Sequence, residues 1–210
     1  MRVMTVLLPL ALGATSASQA QRSCVEQLEF PEVGRWSEYN AVFKQKEPYT
    51  MRYAVVGAES REGKDLRWLE LRTVGNKKDG DIVYQMLVPG SAARLGEVHE
   101  IVMKHGTRPA MKMDGAMVKM ISAQINKESL LSHICTDMAL VNAETVSVPA
   151  GRFRSQHFHS AKHASDSWIA AGIPFSMVKA VGKDYELTLT KHGEGAKSSI
   201  TEVPKSMGRP

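Results

Sequence analysis

Between Leu66 and Gly90 the chain reads LRWLELRTV, then a polar stretch holding KKDGD, then DIVYQMLVPG. The first run alternates. Arg67, Leu69, Leu71 and Thr73 fall on one side, Leu66, Trp68, Glu70 and Arg72 on the other. That is the two-residue period of a β-strand, whose side chains point to opposite faces in turn. Asp79-Gly80 is a hairpin signal, because both residue types accept the positive φ of a tight turn. Pro89-Gly90 ends the second run. Two such runs joined by a short turn pair antiparallel, so this stretch commits the chain to a β meander.

The same pattern recurs on either side. WSEYNAVFK (36–44), YTMRYAVVG (49–57) and GEVHEIVMKHG (96–106) read as strands. From Ala116, Met117, Met120, Ile121 and Gln124 recur at helical spacing and predict a short amphipathic helix. NKESLLSHICTDMALV continues it as helix or loop to about Val141. A second β block follows, with strands over 145–148 and 152–159 around the turn Val148-Pro149-Ala150-Gly151. SDSWIAAG, IPFSMVKAV, DYELTLTKHG (184–193) and SSITEV (198–203) complete it. The expectation is one mainly β (α+β) domain over 21–203, with 204–210 as a disordered polar tail.

Residues 1–20 are expected to be a secretory signal peptide. Arg2 precedes the apolar run Val3–Leu12, and Ser18-Gln19-Ala20 is a plausible cleavage site. The apolar run is too short for a membrane helix, which needs roughly 20 residues, and no later segment reads as a transmembrane span. In an exported protein the only two cysteines, Cys24 and Cys135, are expected to form a disulfide. Arg22 in the segment before Cys24 does not suit a lipidation signal. The formal net charge is +5, but basic and acidic residues interleave, as in REGKDLRWLELR. That is a solvated mixed surface rather than a phosphate-binding stripe, so nucleic acid is not an expected partner.

The residue patterns that carry chemistry are few. SQHFHSAKH holds three of the seven histidines. His157 and His159 share a strand face, and His163 or Asp166 from the following turn supplies a third donor, a set that suits zinc or copper. The plainer reading is the wet face of a strand whose other face carries Phe158. HEIVMKH is not a zinc-protease helix, because Met103 stands where the second histidine is needed. No Gly-x-Ser-x-Gly elbow and no phosphate-cradling glycine loop occurs. Met103, Met111, Met113, Met117, Met120 and Met138 cluster in the middle third. Methionine is flexible and polarizable, so such a cluster lines a surface for variable apolar shapes or fills the core beneath a helix.

Four features together resemble the exported bacterial proteins of the LolA/LolB-like type. They are the N-terminus, GRWSEY opening a meander, the hairpin VSVPAGRF, and the segment SWIAAGIPFSMVKAV. In that family a Val-Pro-Ala-Gly-x-Phe hairpin precedes a Trp-bearing strand and an x-Pro-Phe-x-x-Val-Lys element. The matching residues are Val148, Pro149, Ala150, Gly151 and Phe153, then Trp168, then Pro174, Phe175, Val178 and Lys179. The resemblance implies a strongly curved antiparallel sheet, an open half-barrel with short helices covering its concave side. In the lipoprotein carriers that hollow takes acyl chains.

Three functions follow as expectations. The first is a non-enzymatic binding protein of the cell envelope, in the periplasm or outside the cell, that takes a lipid or another apolar ligand. Its lining would be Trp36, Met103, Met111, Met113, Met117, Met120, Trp168 and Phe175, and it needs no cofactor. The second is a metal protein or metal-dependent enzyme using His157, His159 and His163. The third is a structural module that binds an envelope protein partner, its hollow filled by its own side chains.

Overall fold

The computed structural model describes residues 24–44, 46–74, 80–91, 94, 97–113, 115–128, 135 and 137–207. The expected signal peptide, most of the KKDGD turn and the stretch from Ser129 to Ile134 lie outside the described residues.

A single helical turn, α1 (Cys24–Gln27), leads into a meander. Its strands are β1 (Trp36–Phe43), β2 (Tyr49–Arg61), β3 (Lys64–Val74), β4 (Ile82–Pro89), β5 (Glu100–His105) and β6 (Met111–Lys112). Helix α2 (Gly115–Glu128) follows. A second meander has β7 (Ala139–Val148), β8 (Gly151–Ser160), β9 (Ser165–Ile169), β10 (Met177–Gly182) and β11 (Tyr185–Gly193), and β12 (Lys205–Ser206) closes the chain. Among the described residues these twelve strands share one sheet, in the order β12-β6-β5-β4-β3-β2-β1-β11-β10-β9-β8-β7. The two meanders join where β11 pairs with β1, and the segment holding α2 carries the chain from one end of the sheet to the other. Among the described residues no helix is long and apolar enough to cross a membrane.

Local chemistry sets the hairpins. Arg61 pairs with Lys64 around a two-residue loop in which Glu62 and Gly63 both hold positive φ (51° and 73°). Those angles match the right-handed twist of the flanking strands. Val148 pairs with Gly151 around Pro149-Ala150, the turn expected from the sequence. The sheet also bends. The β7–β8 turn reaches back to β11, where Ala150 N donates to Leu189 O at 3.3 Å, although β8, β9 and β10 lie between β7 and β11 in the sheet. The strand order is linear, so the sheet stays open.

One face carries the main core. Tyr39, Ala41, Leu187, Leu189, Ala180, Met177 and Phe158 are buried there, joined by Cys24 from α1 and Val118 from α2. Burial pushes the phenols of Tyr39 and Tyr53 well above their ordinary range. Tyr39 stays satisfied by donating to Met177 O at 3.1 Å. The opposite face has a smaller core of Val83, Val102, Ala110 and Ile200, with Trp68 packed against it. Strand β3 serves both, as its alternation requires: Leu69 and Leu71 face the main core and Trp68 the smaller one.

The C-terminal region differs from the sequence reading. SSITEV does not form a strand. Its backbone and hydroxyls turn to a buried carboxyl instead: Ser199 N and Oγ donate to Glu70 at 2.8 and 2.7 Å. Within the segment read as a tail, Lys205–Ser206 pairs parallel with Met111–Lys112 on the open edge of β6. Lys205 N donates to Ala110 O at 2.8 Å and Met207 N to Lys112 O at 2.9 Å. That pairing makes the sheet mixed rather than wholly antiparallel. Helix α2 has 14 residues, and β7 starts at Ala139 rather than at Thr145, so its first residues come from the stretch read as helix or loop.

Candidate functional site

Residues opposite one another on neighbouring strands share a face. Registering β2 to β6 in this way gives two adjacent apolar rows. The inner row is Val55–Leu69–Met86–Ile101, all buried. The outer row is Tyr53–Leu71–Tyr84–Met103–Met111. Tyr53 is buried, while Leu71, Tyr84, Met103 and Met111 are only half-buried. Helix α2 packs its Met117, Val118 and Ile121 against the same core. Met113 follows β6 and donates its backbone N–H to Ile101 O at 2.9 Å. The result is a ladder of thioether, aromatic and aliphatic groups across five strands, β2 to β6, whose outer-row members on β3 to β6 are half-buried.

The candidate ligand residues divide. Met103 and Met111 lie in this outer row, and Met113 and Met117 lie against the core beside it. Phe175 is buried and meets Tyr53, the inner end of the row, at 5.8 Å between ring centroids. Met120 is 60% exposed and does not join them. Trp36 is on the other face, in the row Trp36–Ala54–Glu70. Its ring lies under the Arg52 guanidinium at 4.6 Å, and its Nε1 donates to Glu194 O at 3.2 Å. Trp168 belongs with the histidines.

The row His157–Trp168–Lys179–Thr188 runs across β8 to β11. The His157 ring stacks on Trp168 at 4.5 Å, and Trp168 Nε1 donates to Glu144 Oε1 at 2.7 Å. His157 Nε2 and His159 Nδ1 lie 2.7 and 2.9 Å from one oxygen, Asp166 Oδ1. His157 Nδ1 is 3.4 Å from Glu144 Oε1. Burial alone would raise the Asp166 carboxyl, but the hydrogen bonds and charges of the two histidines outweigh it and hold it below the ordinary range. His163 does not converge on this group. It lies in the β8–β9 turn and faces Asp137 at 3.5 Å. Among the described residues no group of three or more His, Cys, Asp or Glu side chains is arranged to hold a metal ion. The strand alternation brings two imidazoles together over a carboxylate, and the turn carries the third away.

Cys24 and Cys135 are joined in a disulfide that ties the start of the domain to the segment after α2. Leu71, Tyr53 and Tyr84 were not among the expected site residues. Their alternation with neighbours was visible, but their register across strands was not.

No protein-family model matches the chain, and none of the curated proteins matches it. Solved structures similar to it include a protein from Bacteroides fragilis NCTC 9343 described as exported, with a YmcC-like fold. The two are 10% identical, the match covers 80% of this chain and 100% of that one, and the TM-score is 0.38. Another is a protein from Parabacteroides distasonis ATCC 8503 described as a lipoprotein, 11% identical over 82% of this chain and 100% of that one, with a TM-score of 0.37. At those TM-scores neither likeness assigns a fold or a function.

Proposed function

We propose that this chain is an exported, non-enzymatic component of the bacterial cell envelope that takes a lipid or another apolar ligand on the core side of its bent sheet. Helix α2 acts as the cover. The observation that carries this reading is the half-buried row Leu71–Tyr84–Met103–Met111 beside Met113 and Met117. Unbranched thioethers adapt to chains of different shape, and each methylene buried there contributes about 0.8 kcal/mol. The test is native mass spectrometry of the protein isolated from its own envelope, together with uptake of a fluorescent fatty acid. A retained lipid mass and saturable uptake support the reading. A clean apo mass with no uptake removes it.

A second reading, a partner-binding module with a filled interior, is favoured by one part of the core. Phe30, Phe175 and Tyr53 pack in sequence there, with centroid separations of 6.2 and 5.8 Å. Under that reading the isolated protein binds no lipid and an envelope protein co-purifies with it.

A further inference from the structure

Antiparallel pairing brings the β1–β2 loop and the β10–β11 turn to the same end of the sheet, and β11 lies beside β1, so the two are neighbours. Phe43 ends β1 opposite Tyr185, which starts β11, and Tyr49 starts β2 opposite Ala41. The Phe43 ring stacks on Tyr49 at 5.7 Å, nearly parallel, and meets Tyr185 at 6.2 Å. Lys44 N donates to Asp184 O at 2.9 Å and fastens the two turns together. All three rings are only half-buried. Val42 and Val74, at the same end, are exposed. Single exposed apolar residues are ordinary, but apolar groups gathered inside a polar rim mark an interaction surface.

The rim here is mainly basic. Lys44, Lys46 and Lys183 stand on the two turns, exposed, against Glu47 and Asp184. Lys44 is taken up by Asp184, at 3.3 Å. Among the described residues no carboxylate lies within ion-pair distance of Lys46 or Lys183, nor of Arg108 on the β5–β6 loop at the same end. The Lys46 ammonium instead lies over the Phe43 ring, 5.9 Å from its centroid. Unpaired cations around partly wet rings suit a partner that is anionic at its surface and apolar just beneath. A small anion would use the lysines and leave the rings wet. A bilayer with anionic headgroups has both layers.

We propose that this end of the sheet docks on a lipid surface that carries anionic phospholipid headgroups. Lys46 and Lys183 meet the phosphates, and Phe43, Tyr49 and Tyr185 enter the headgroup layer, where aromatic side chains concentrate. The strands then stand on the membrane by their ends. Headgroups are fluid and close around the rings, so the surface needs no shaped pocket. Docking depends on the two turns and not on the apolar ladder. Vesicle binding and fatty-acid uptake are separate measurements, and either can fail alone.

Co-sedimentation of the disulfide-intact protein with vesicles tests it, using mixed phosphatidylglycerol–phosphatidylcholine vesicles beside phosphatidylcholine alone. The expected result is saturable binding to the anionic vesicles that falls as salt is raised, and much weaker binding to the neutral ones. The double variant Lys46→Glu, Lys183→Glu should weaken it roughly tenfold or more. Lys64 and Lys197 are just as exposed but stand at the opposite end of the strands, on the β2–β3 hairpin and after β11. The variant Lys64→Glu, Lys197→Glu makes the same change in net charge and should stay within about twofold of wild type. All four lysines are exposed, so both variants should keep the wild-type melting temperature. Tyr49→Ser, read beside its own melt, should weaken binding severalfold. Three results overturn the proposal: no binding to the anionic vesicles, equal binding to the neutral ones, or equal loss in the two lysine variants, which would reduce the effect to net charge.

Discussion

Ser199 holds Glu70 twice, its backbone N–H on Oε2 at 2.8 Å and its hydroxyl on Oε1 at 2.7 Å. Gln85 Nε2 adds a third bond to Oε2 at 2.8 Å. Glu70 is 1% exposed, so this carboxyl is a buried clasp that pins the C-terminal segment across the smaller core. Glu70→Ala leaves the half-buried Ser199 N–H and hydroxyl without their acceptor and Gln85 Nε2 with Ser198 Oγ alone. The expected loss is about 2–4 kcal/mol, measured by urea unfolding, with faster proteolysis of the last ten or so residues. Ser199→Ala removes one bond and should cost about 1 kcal/mol. A Glu70→Ala loss under about 0.5 kcal/mol, the usual size of a surface substitution, would show that the clasp is not structural.

The disulfide spans a sequence separation of 111 residues. Loops of that length lose the most entropy on closure of the unfolded chain, about 4–5 kcal/mol in the chain-entropy model. Replacing both Cys24 and Cys135 by Ser should therefore lower the urea midpoint markedly. Reductant should do the same to the wild-type protein and nothing to the variant. Equal midpoints for all three samples would place the bridge outside the folding equilibrium.

Much of the sheet was readable because its strands alternate. In β3 the division of Leu69 and Leu71 from Trp68 and Glu70 matches the two cores. What could not be read was register. A glutamate on a strand looks like a solvent-facing charge, and nothing local to Glu70 announces a partner 129 residues away. The two-residue pairing of β12 is too short to leave a periodic trace. Met103 and Met111 were picked out as a composition cluster, yet the row they extend depends on Leu71 and Tyr84, set by pairings on two other strands. His157 and His159 were rightly placed on one face. The turn after Ser160 was expected too, but nothing in residue type shows that it aims His163 at Asp137 rather than at the other two.

Acid should weaken the edge near β6. Glu100 accepts from Arg61 Nη1 at 2.9 Å and Lys112 Nζ at 2.7 Å. Burial pushes its carboxyl up, but the hydrogen bonds and charges of Lys112 and Arg61 more than reverse this and hold it below its ordinary 4.5. A carboxyl lowered in the folded state stabilises fully above its unfolded value. That contribution is lost as pH falls through the lowered one. Urea midpoints followed from pH 7 down to pH 3 should fall more steeply for wild type than for Glu100→Gln, with the gap closing below the ordinary value. Parallel curves would mean the pair contributes nothing to acid stability.

The apolar ladder makes the sharpest contrast between two methionines of the same neighbourhood. Met103 is half-buried between Tyr84 and Met111, whereas Met120 is 60% exposed on α2. If an acyl chain lies along the row, Met103→Ala removes a methylene and a thioether contact to it, about 1–1.5 kcal/mol. Fluorescent fatty-acid binding should weaken about tenfold. Met120→Ala should leave it within about twofold, since an exposed side chain has no such contact to lose. Thermal melts of both variants separate loss of the site from loss of the fold: Met103→Ala should still unfold cooperatively, within several degrees of wild type. Equal weakening by both substitutions would point to general adhesion of the probe, and no weakening by either would remove the row from ligand contact.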